Sequence, residues 1–397
     1  MTVFGLQWTM AASPVGVRPT CAATAGGATQ NALSDIAVTS PTNAHTTNAV
    51  AQASANAPWS GMRRCNVWED GTPTAYYGDR CYTDTDVANM GQCMVQIPKF
   101  LYATDHTAGV YRWFISNTGT ETVRNSVDGA NLTWNVHPAF IRAGATKNSI
   151  YLGAYEGYIN DTKLESKAGV APTATTLTAS RTAAHARVGG VVNKWEQQDY
   201  LSTAAVQLLY LVEYGNFNSQ ILIGGGLVDQ TLANTGATGS TGINRGNATY
   251  GVAGDYTYAM SYRGIENLYG NIWHGLDGVK YDDSSPNHIW VADNSFNDSA
   301  TYTSPYTDLG VAVYHEASGF ISDIIATSSS TNDYSFAPLA GGGSETTGLC
   351  DALFSYSGSN PNILGIWGSL YTVTPGIFGV VILGPSGTMG SRLIYMG

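Results

Sequence analysis

The stretch "QDYLSTAAVQLLYLVEYG", residues 198 to 215, limits the possible folds more than any other part of the chain. Leu201, Ala204, Ala205, Leu208, Leu209 and Val212 recur at the spacing of one helical face. The opposite side carries Tyr210, Leu211 and Tyr214, so the helix is apolar nearly all round. A helix of this kind must be covered by a layer on each side, which demands a large surrounding structure. The shorter "TLTASRTAAHARV", residues 176 to 188, predicts a second helix, stopped by Gly189-Gly190.

Around these helices the chain reads as short strands and turns. Asp70-Gly71 lies between segments rich in β-formers and predicts a hairpin. "CMVQIPKFLYAT" and "GVYRWFISN" predict an antiparallel hairpin across residues 93 to 117. "HPAFI" and "SIYLGAYEGYI" predict further strands, the second central because it is apolar on both faces. Beyond residue 218 only glycine-punctuated short segments follow, such as "ILIGGGLVDQ", "YTYAMSYRG", "HIWVAD" and "FGVVILG". No internal repeat is visible, which argues against a solenoid or propeller. The order of elements implies an α+β fold: two main helices packed on short irregular antiparallel strands. Residues 1 to 58, small and polar without apolar periodicity, predict an extended arm, a candidate for docking or oligomerisation. A β-rich part over 59 to 117 and a main domain over 118 to 397 complete the expected organisation.

Composition narrows the function. Charged residues are 12% of the chain, about half of the ~25% usual for soluble domains, so hydrogen bonding must keep much of the surface wet. With a net charge of -11 and only 18 Lys and Arg, the chain lacks the basic stripe that nucleic acid requires. No run approaches the ~20 apolar residues that span a bilayer, and "MTVFGLQWTM" lacks the pattern of a signal peptide. No membrane insertion and synthesis in a cytoplasm are therefore expected. Cys21, Cys65, Cys81, Cys93 and Cys350 show no C-x-x-C spacing, so buried, reduced thiols are expected in place of a zinc site or disulfide framework.

Catalytic signals are sparse. The seven histidines include no H-x-x-x-H or H-x-H pair, and neither a G-x-S-x-G elbow nor a Walker A loop occurs. No metal, cofactor or catalytic residue is predicted. Asp282-Asp283 is the kind of carboxylate pair that glycoside hydrolysis uses, and "DNSFNDS" carries calcium-type oxygens, yet both read more simply as solvated loops. In "ENLYGNIWHGLDG", His274 beside Trp273 and near Asp277 offers an acid/base group. The structural alternative makes Trp273 a core anchor, Asn271 a turn residue, and Gly270 and Gly275 points of backbone freedom.

"GIENLYGNIWHGLDG" resembles the G-N-V-W-E-W stretch of the formylglycine-generating enzyme family, and "GSRLIY" resembles that family's closing G-F-R-L strand. "KWEQQDYLSTAAVQLLYLVEY" stands where that family has a helix bearing tryptophan and glutamate. The resemblance implies a C-type lectin-like fold. It is closer still to a branch of phage virion proteins, with "PWSGMRRCNVWEDGTPTAYYGD", "MVQIPKF", "VHPAFI", "IYLGAYEG", "WEQQDYL", "SYRGIENLYGNIW" and "GSRLIY" as ordered hallmarks over residues 58 to 397. The enzyme's oxidation uses two C-terminal thiols where this chain has only Cys350, and His274 replaces the motif's glutamate, so its activity is not carried over. Trp195, Asn271, Trp273 and Arg392 are implied as framework.

The similar phage proteins include tail-fibre and receptor-binding components, some of them targets of diversity-generating retroelements, varied near the C-terminus. The matching region here holds Tyr356, Asn360, Asn362, Trp367 and Tyr371 among small residues, the composition of an adaptable recognition surface. Core filling by Trp367 and Tyr371 is the competing account. The resemblance implies a virion protein that displays a receptor-binding domain. Its expected partners are other virion proteins, a host-surface glycan or protein, and copies of itself, a trimer being the family-level expectation. The alternatives are a capsid or tail decoration protein and, on fold analogy alone, an enzyme.

Overall fold

The computed structural model describes residues 3–9, 58–107, 110–125, 128–228, 231–238, 258–282, 287–313, 319–328, 331–343, 349, 351–355, 363–366, 376–384 and 387–397. Within them the chain is a mixed α+β structure, mostly sheet. The helix Tyr200–Tyr214 lies at its centre with all of its residues buried. Asp199 caps its first turn by accepting from the Ser202 amide, and Gly215 ends it in the left-handed conformation at φ 68°. Arg142 donates from Nη2 to both oxygens of Asp199 at 3.1 and 3.0 Å, which keeps the buried cap charge paired.

Both sides of this helix are covered, as its composition demands. It packs on strands Val3–Thr9 and Val110–Ser116, members of a four-stranded sheet with Leu101–Thr107 and Asn135–Val136. Tyr210 meets the rings of Tyr262 and Phe378, and Gln207 donates to the Ile377 carbonyl at 2.8 Å, which joins the helix to the C-terminal part of the chain. Trp59 reaches in with its indole to donate to the Leu209 carbonyl at 3.1 Å.

A six-stranded framework sheet runs in the order Trp195–Gln197, Leu393–Tyr395, Ser149–Gly153, Gln92–Pro98, Arg63–Val67, Pro73–Tyr76. It draws strands from both sides of residue 117 and from the chain's last residues. Ser149–Gly153 lies inside this sheet, as its apolar character predicts, but the rest of the predicted segment leaves it, and Gly157–Asn160 pairs with Lys163–Ser166 in a separate two-stranded sheet. At the hairpin end, Gly71 has φ 89° and an added Cβ would stand 2.0 Å from the Tyr395 ring, so both the turn and the close approach require glycine there. A second six-stranded sheet, in the order His274–Gly275, Ile363–Ile366, Val380–Leu383, Ala352–Ser355, Gly319–Ile324, Pro338–Gly343, closes the other side.

Several local expectations are corrected. The hairpin expected across 93 to 117 is two objects: Gln92–Pro98 belongs to the framework sheet, and only Leu101–Thr107 with Val110–Ser116 forms the hairpin. Pro98 has no amide hydrogen to continue the ladder, and the chain changes sheet there. "HPAFI" is mainly the 3-10 turn Pro138–Phe140, because Pro138 suits a first helical position and His137 caps it by accepting from the Ala139 amide. The predicted arm begins as a strand: Val3–Thr9 pairs along its length with Val110–Ser116, and Leu6 is buried. Residues 10 to 57 of the arm lie outside the described residues. The helix predicted over 176 to 188 is Leu177–His185 followed by a 3-10 turn to Val188, with Gly189 left-handed at φ 67°. Cys65 and Cys93 are buried free thiols, whereas Cys81 is free but exposed, on a turn-rich surface segment. Cys21 and Cys350 lie outside the described residues.

Candidate functional site

The stretch with the strongest catalytic appearance folds around one buried carboxylate. Just after strand Ser149–Gly153, the chain carries Glu156 inward to zero exposure. Its Oε2 accepts from Asn267 Nδ2 at 2.9 Å and Asn271 Nδ2 at 2.6 Å, and its Oε1 lies 3.0 Å from His274 Nε2. Asn267 and Asn271 both sit at positive φ, 48° and 59°, which asparagine tolerates better than most residues. The sharp backbone turns aim both amides at the same carboxylate.

Arg392 closes the cluster. It is fully buried and donates to the carbonyls of Gly153, Glu266 and Asn267 at 2.8, 2.6 and 2.7 Å. Burial pulls its guanidinium down to about 10, with Glu156 and Glu266 opposing the fall. Burial also lowers His274, an effect that the bond to Glu156 opposes and the charge of Arg392 reinforces. A neutral His274 donates from Nε2 to the carboxylate, and its buried Nδ1 has no hydrogen-bond partner. Glu266 accepts from the amides of Gly236 and Thr238 at 2.7 and 2.8 Å, so the same stretch also fixes the segment before residue 239.

The chemistry open to this cluster is limited by access. His274 and Glu156 form an acid/base pair by geometry, but their exposures of 1% and 0% leave no approach for a reactant. Asp277, which sequence places near His274, turns instead to Arg181, with bonds of 2.8 and 2.5 Å. Burial raises its carboxyl to about 6 against the opposing pull of Arg181. The oxygen-rich loop "DNSFNDS" also faces cations: Asp298 pairs with Arg181, and Asn297 Oδ1 accepts from Lys280 Nζ at 2.8 Å. Oxygens of Asn297 and Asp298 are thereby engaged by side-chain cations. Among the described residues, no group of three or more His, Cys, Asp or Glu is placed to hold a metal ion.

Of the framework residues, Trp195 is fully buried against Tyr395 and donates to the Glu69 carbonyl at 2.8 Å. Asn271 and Arg392 meet around Glu156 as described. Trp273 is half-buried and packs on Leu177 and Met389, apart from the main core, so the more deeply buried ring of the pair is His274. Tyr356, Asn360, Asn362, Trp367 and Tyr371 all lie outside the described residues. The strands that bracket them are described: Tyr356, Asn360 and Asn362 fall between Ala352–Ser355 and Ile363–Ile366, and Trp367 and Tyr371 between Ile363–Ile366 and Val380–Leu383. Ala352–Ser355 and Val380–Leu383 run parallel, with Ile363–Ile366 antiparallel to the latter.

Glu156 and Asp351 are the buried groups that motif reading missed. Asp351 lies just ahead of Ala352–Ser355, fully buried, and accepts from Gln220 Nε2 and the Phe378 amide, both at 2.8 Å. Burial raises its carboxyl to about 8. Isolated acids in apolar sequence, "GAYEGY" and "CDALF", were the available signal. No family model and no curated protein matches this chain.

Proposed function

We propose that this protein is a phage virion component displaying a C-type lectin-like domain that binds a receptor on the host surface. One observation supports the reading above the others: the motif residues Asn267, Asn271, His274 and Arg392 are spent on holding the chain around the sealed Glu156. With that stretch used as scaffold, recognition falls to residues 356–362 and 367–375, whose chain segments join strands of the second six-stranded sheet. Their Tyr, Trp, Asn, Ser and Gly content suits a surface that combines rigid aromatic contacts with adaptable hydrogen bonds.

The test is binding of the labelled protein to intact host cells, beside a variant carrying Trp367→Ala and Tyr371→Ala whose folding is checked by circular dichroism. Binding by the parent and at least a tenfold loss in the folded variant, about 1.4 kcal/mol, supports the receptor site. Failure of the parent to bind cells or envelope fractions removes the reading and leaves particle decoration as its successor.

A further inference from the structure

We propose a second binding site, for a carbohydrate, in the pocket of about 550 Å³ between Trp68 and Arg187, a volume suited to a small ligand. It lies where the hairpin turn after Arg63–Val67 meets the start of Gln92–Pro98, the strand Lys163–Ser166 and the end of the shorter helix. This site does not rest on the receptor reading and uses none of the residues assigned to it.

The walls hold hydrogen-bonding capacity that the chain leaves unused. Arg187 has a side chain 5% exposed; it donates from Nη1 to the Leu164 carbonyl at 2.8 Å and from Nη2 to Glu69 Oε1 at 2.7 Å, but its Nε has no partner. Glu69 Oε2 and Glu165 Oε2 also accept no hydrogen bond, the nearest cation to the latter being Lys167 at 3.7 Å. One spare donor and two spare acceptors, each itself shut from solvent, belong to residues that line this one pocket, and buried polar groups are costly to leave unpaired. The Glu69 side chain is 40% exposed, so it can swing to offer its free oxygen and uncover the guanidinium behind it.

The pattern selects the ligand class. Three acids, Glu69, Asp70 and Glu165, face two bases, Lys163 and Arg187, so neither a strongly anionic nor a strongly cationic ligand is favoured by charge. Hydroxyl groups both donate and accept, and therefore suit carboxylates and guanidinium together. Trp68, 40% exposed, contributes a flat apolar face at the same pocket, against which the C–H face of a sugar ring can pack. A neutral polyhydroxylated ring meets all three features.

Saturation-transfer NMR of the full chain with glucose, galactose, mannose, rhamnose and N-acetylglucosamine tests the site, with tetramethylammonium and inorganic phosphate as charged probes. The expected result is transfer to the ring protons of at least one sugar, weakened about tenfold by Trp68→Ala and by Glu165→Gln, and unchanged by the pair Trp367→Ala and Tyr371→Ala. Circular dichroism identifies any variant that fails to fold, and the other pocket variant then decides. Absence of transfer to every sugar, sugar binding that survives both pocket substitutions, or binding of a charged probe in place of sugar overturns the proposal.

Discussion

Glu156 and Asp351 are both shut away from water, one behind the framework sheet and the other at the base of the C-terminal sheet, yet their surroundings differ in kind. Glu156 collects three side-chain donors and faces the positive charge of Arg392. Asp351 is held by one side-chain amide and by backbone N–H groups, and among the described residues no cation opposes its desolvation. A buried carboxyl without a counter-charge meets burial by taking up a proton. The protonated Asp351 then has an O–H to donate, and Gln220 Oε1, which has no partner in the assigned amide orientation, becomes its acceptor if that amide is turned over. The Asp351 hub is therefore one whose charge changes with pH near neutrality.

The sharpest way to break this contrast is to remove the charge at the first hub. Arg392→Met leaves the carbonyls of Gly153, Glu266 and Asn267 without their donor and strips the buried cation from Glu156. A loss on the order of 3–5 kcal/mol is expected in urea unfolding. A loss below about 1 kcal/mol would show that the cluster is not a structural hub.

The next test addresses the second hub through pH. Because the folded-state value of Asp351, about 8, lies above its unfolded value, the folded state holds the extra proton. The contribution is complete below the unfolded value of about 3.9 and is lost as pH rises through the folded value. Asp351→Asn should therefore gain on the parent by roughly 2–4 kcal/mol between pH 5 and pH 8. Parallel unfolding free energies across that range would show that Asp351 does not titrate there.

Gly376 provides a smaller, steric probe of the same hub, since an added Cβ would stand 2.1 Å from Asp351 Oδ1. Gly376→Ala should cost about 1–3 kcal/mol, and most of that cost should vanish in an Asp351→Ala background. Strict additivity of the two changes would place the strain elsewhere. The smallest effect is expected at the surface pair His288–Asp308, 2.7 Å apart, where the bond to Asp308 raises the imidazole. That stabilisation is present below the unfolded value of about 6.5 and lost above the folded one. His288→Gln should change stability by less than about 0.5 kcal/mol at pH 5.5, because both groups are about one-third exposed and solvent screens them. A loss above 1 kcal/mol would mean that the surface pair behaves like a buried one.

What the sequence by itself determined was local or compositional. The helix Tyr200–Tyr214 follows from the periodicity within one segment, and its all-round apolarity dictated that layers cover it. The shorter helix and the turn at Asp70-Gly71 were legible for the same reason. Where two local signals competed, the tertiary structure decided: Pro98 divides an apparently continuous β segment between two sheets.

The Glu156 hub was beyond local reading because its partners are 111 to 118 residues away in the chain. "GNIW" announces a turn, but only folding shows that two asparagines, a histidine and a distant arginine converge on one carboxylate. The pocket at Arg187 has the same origin, since its Trp68, Glu165 and Arg187 come from three separate elements. Propensity and capping act over a few residues of backbone and are written locally. Burial, charge pairing and unused hydrogen-bonding capacity depend on which distant groups meet, and the folded chain alone sets those meetings.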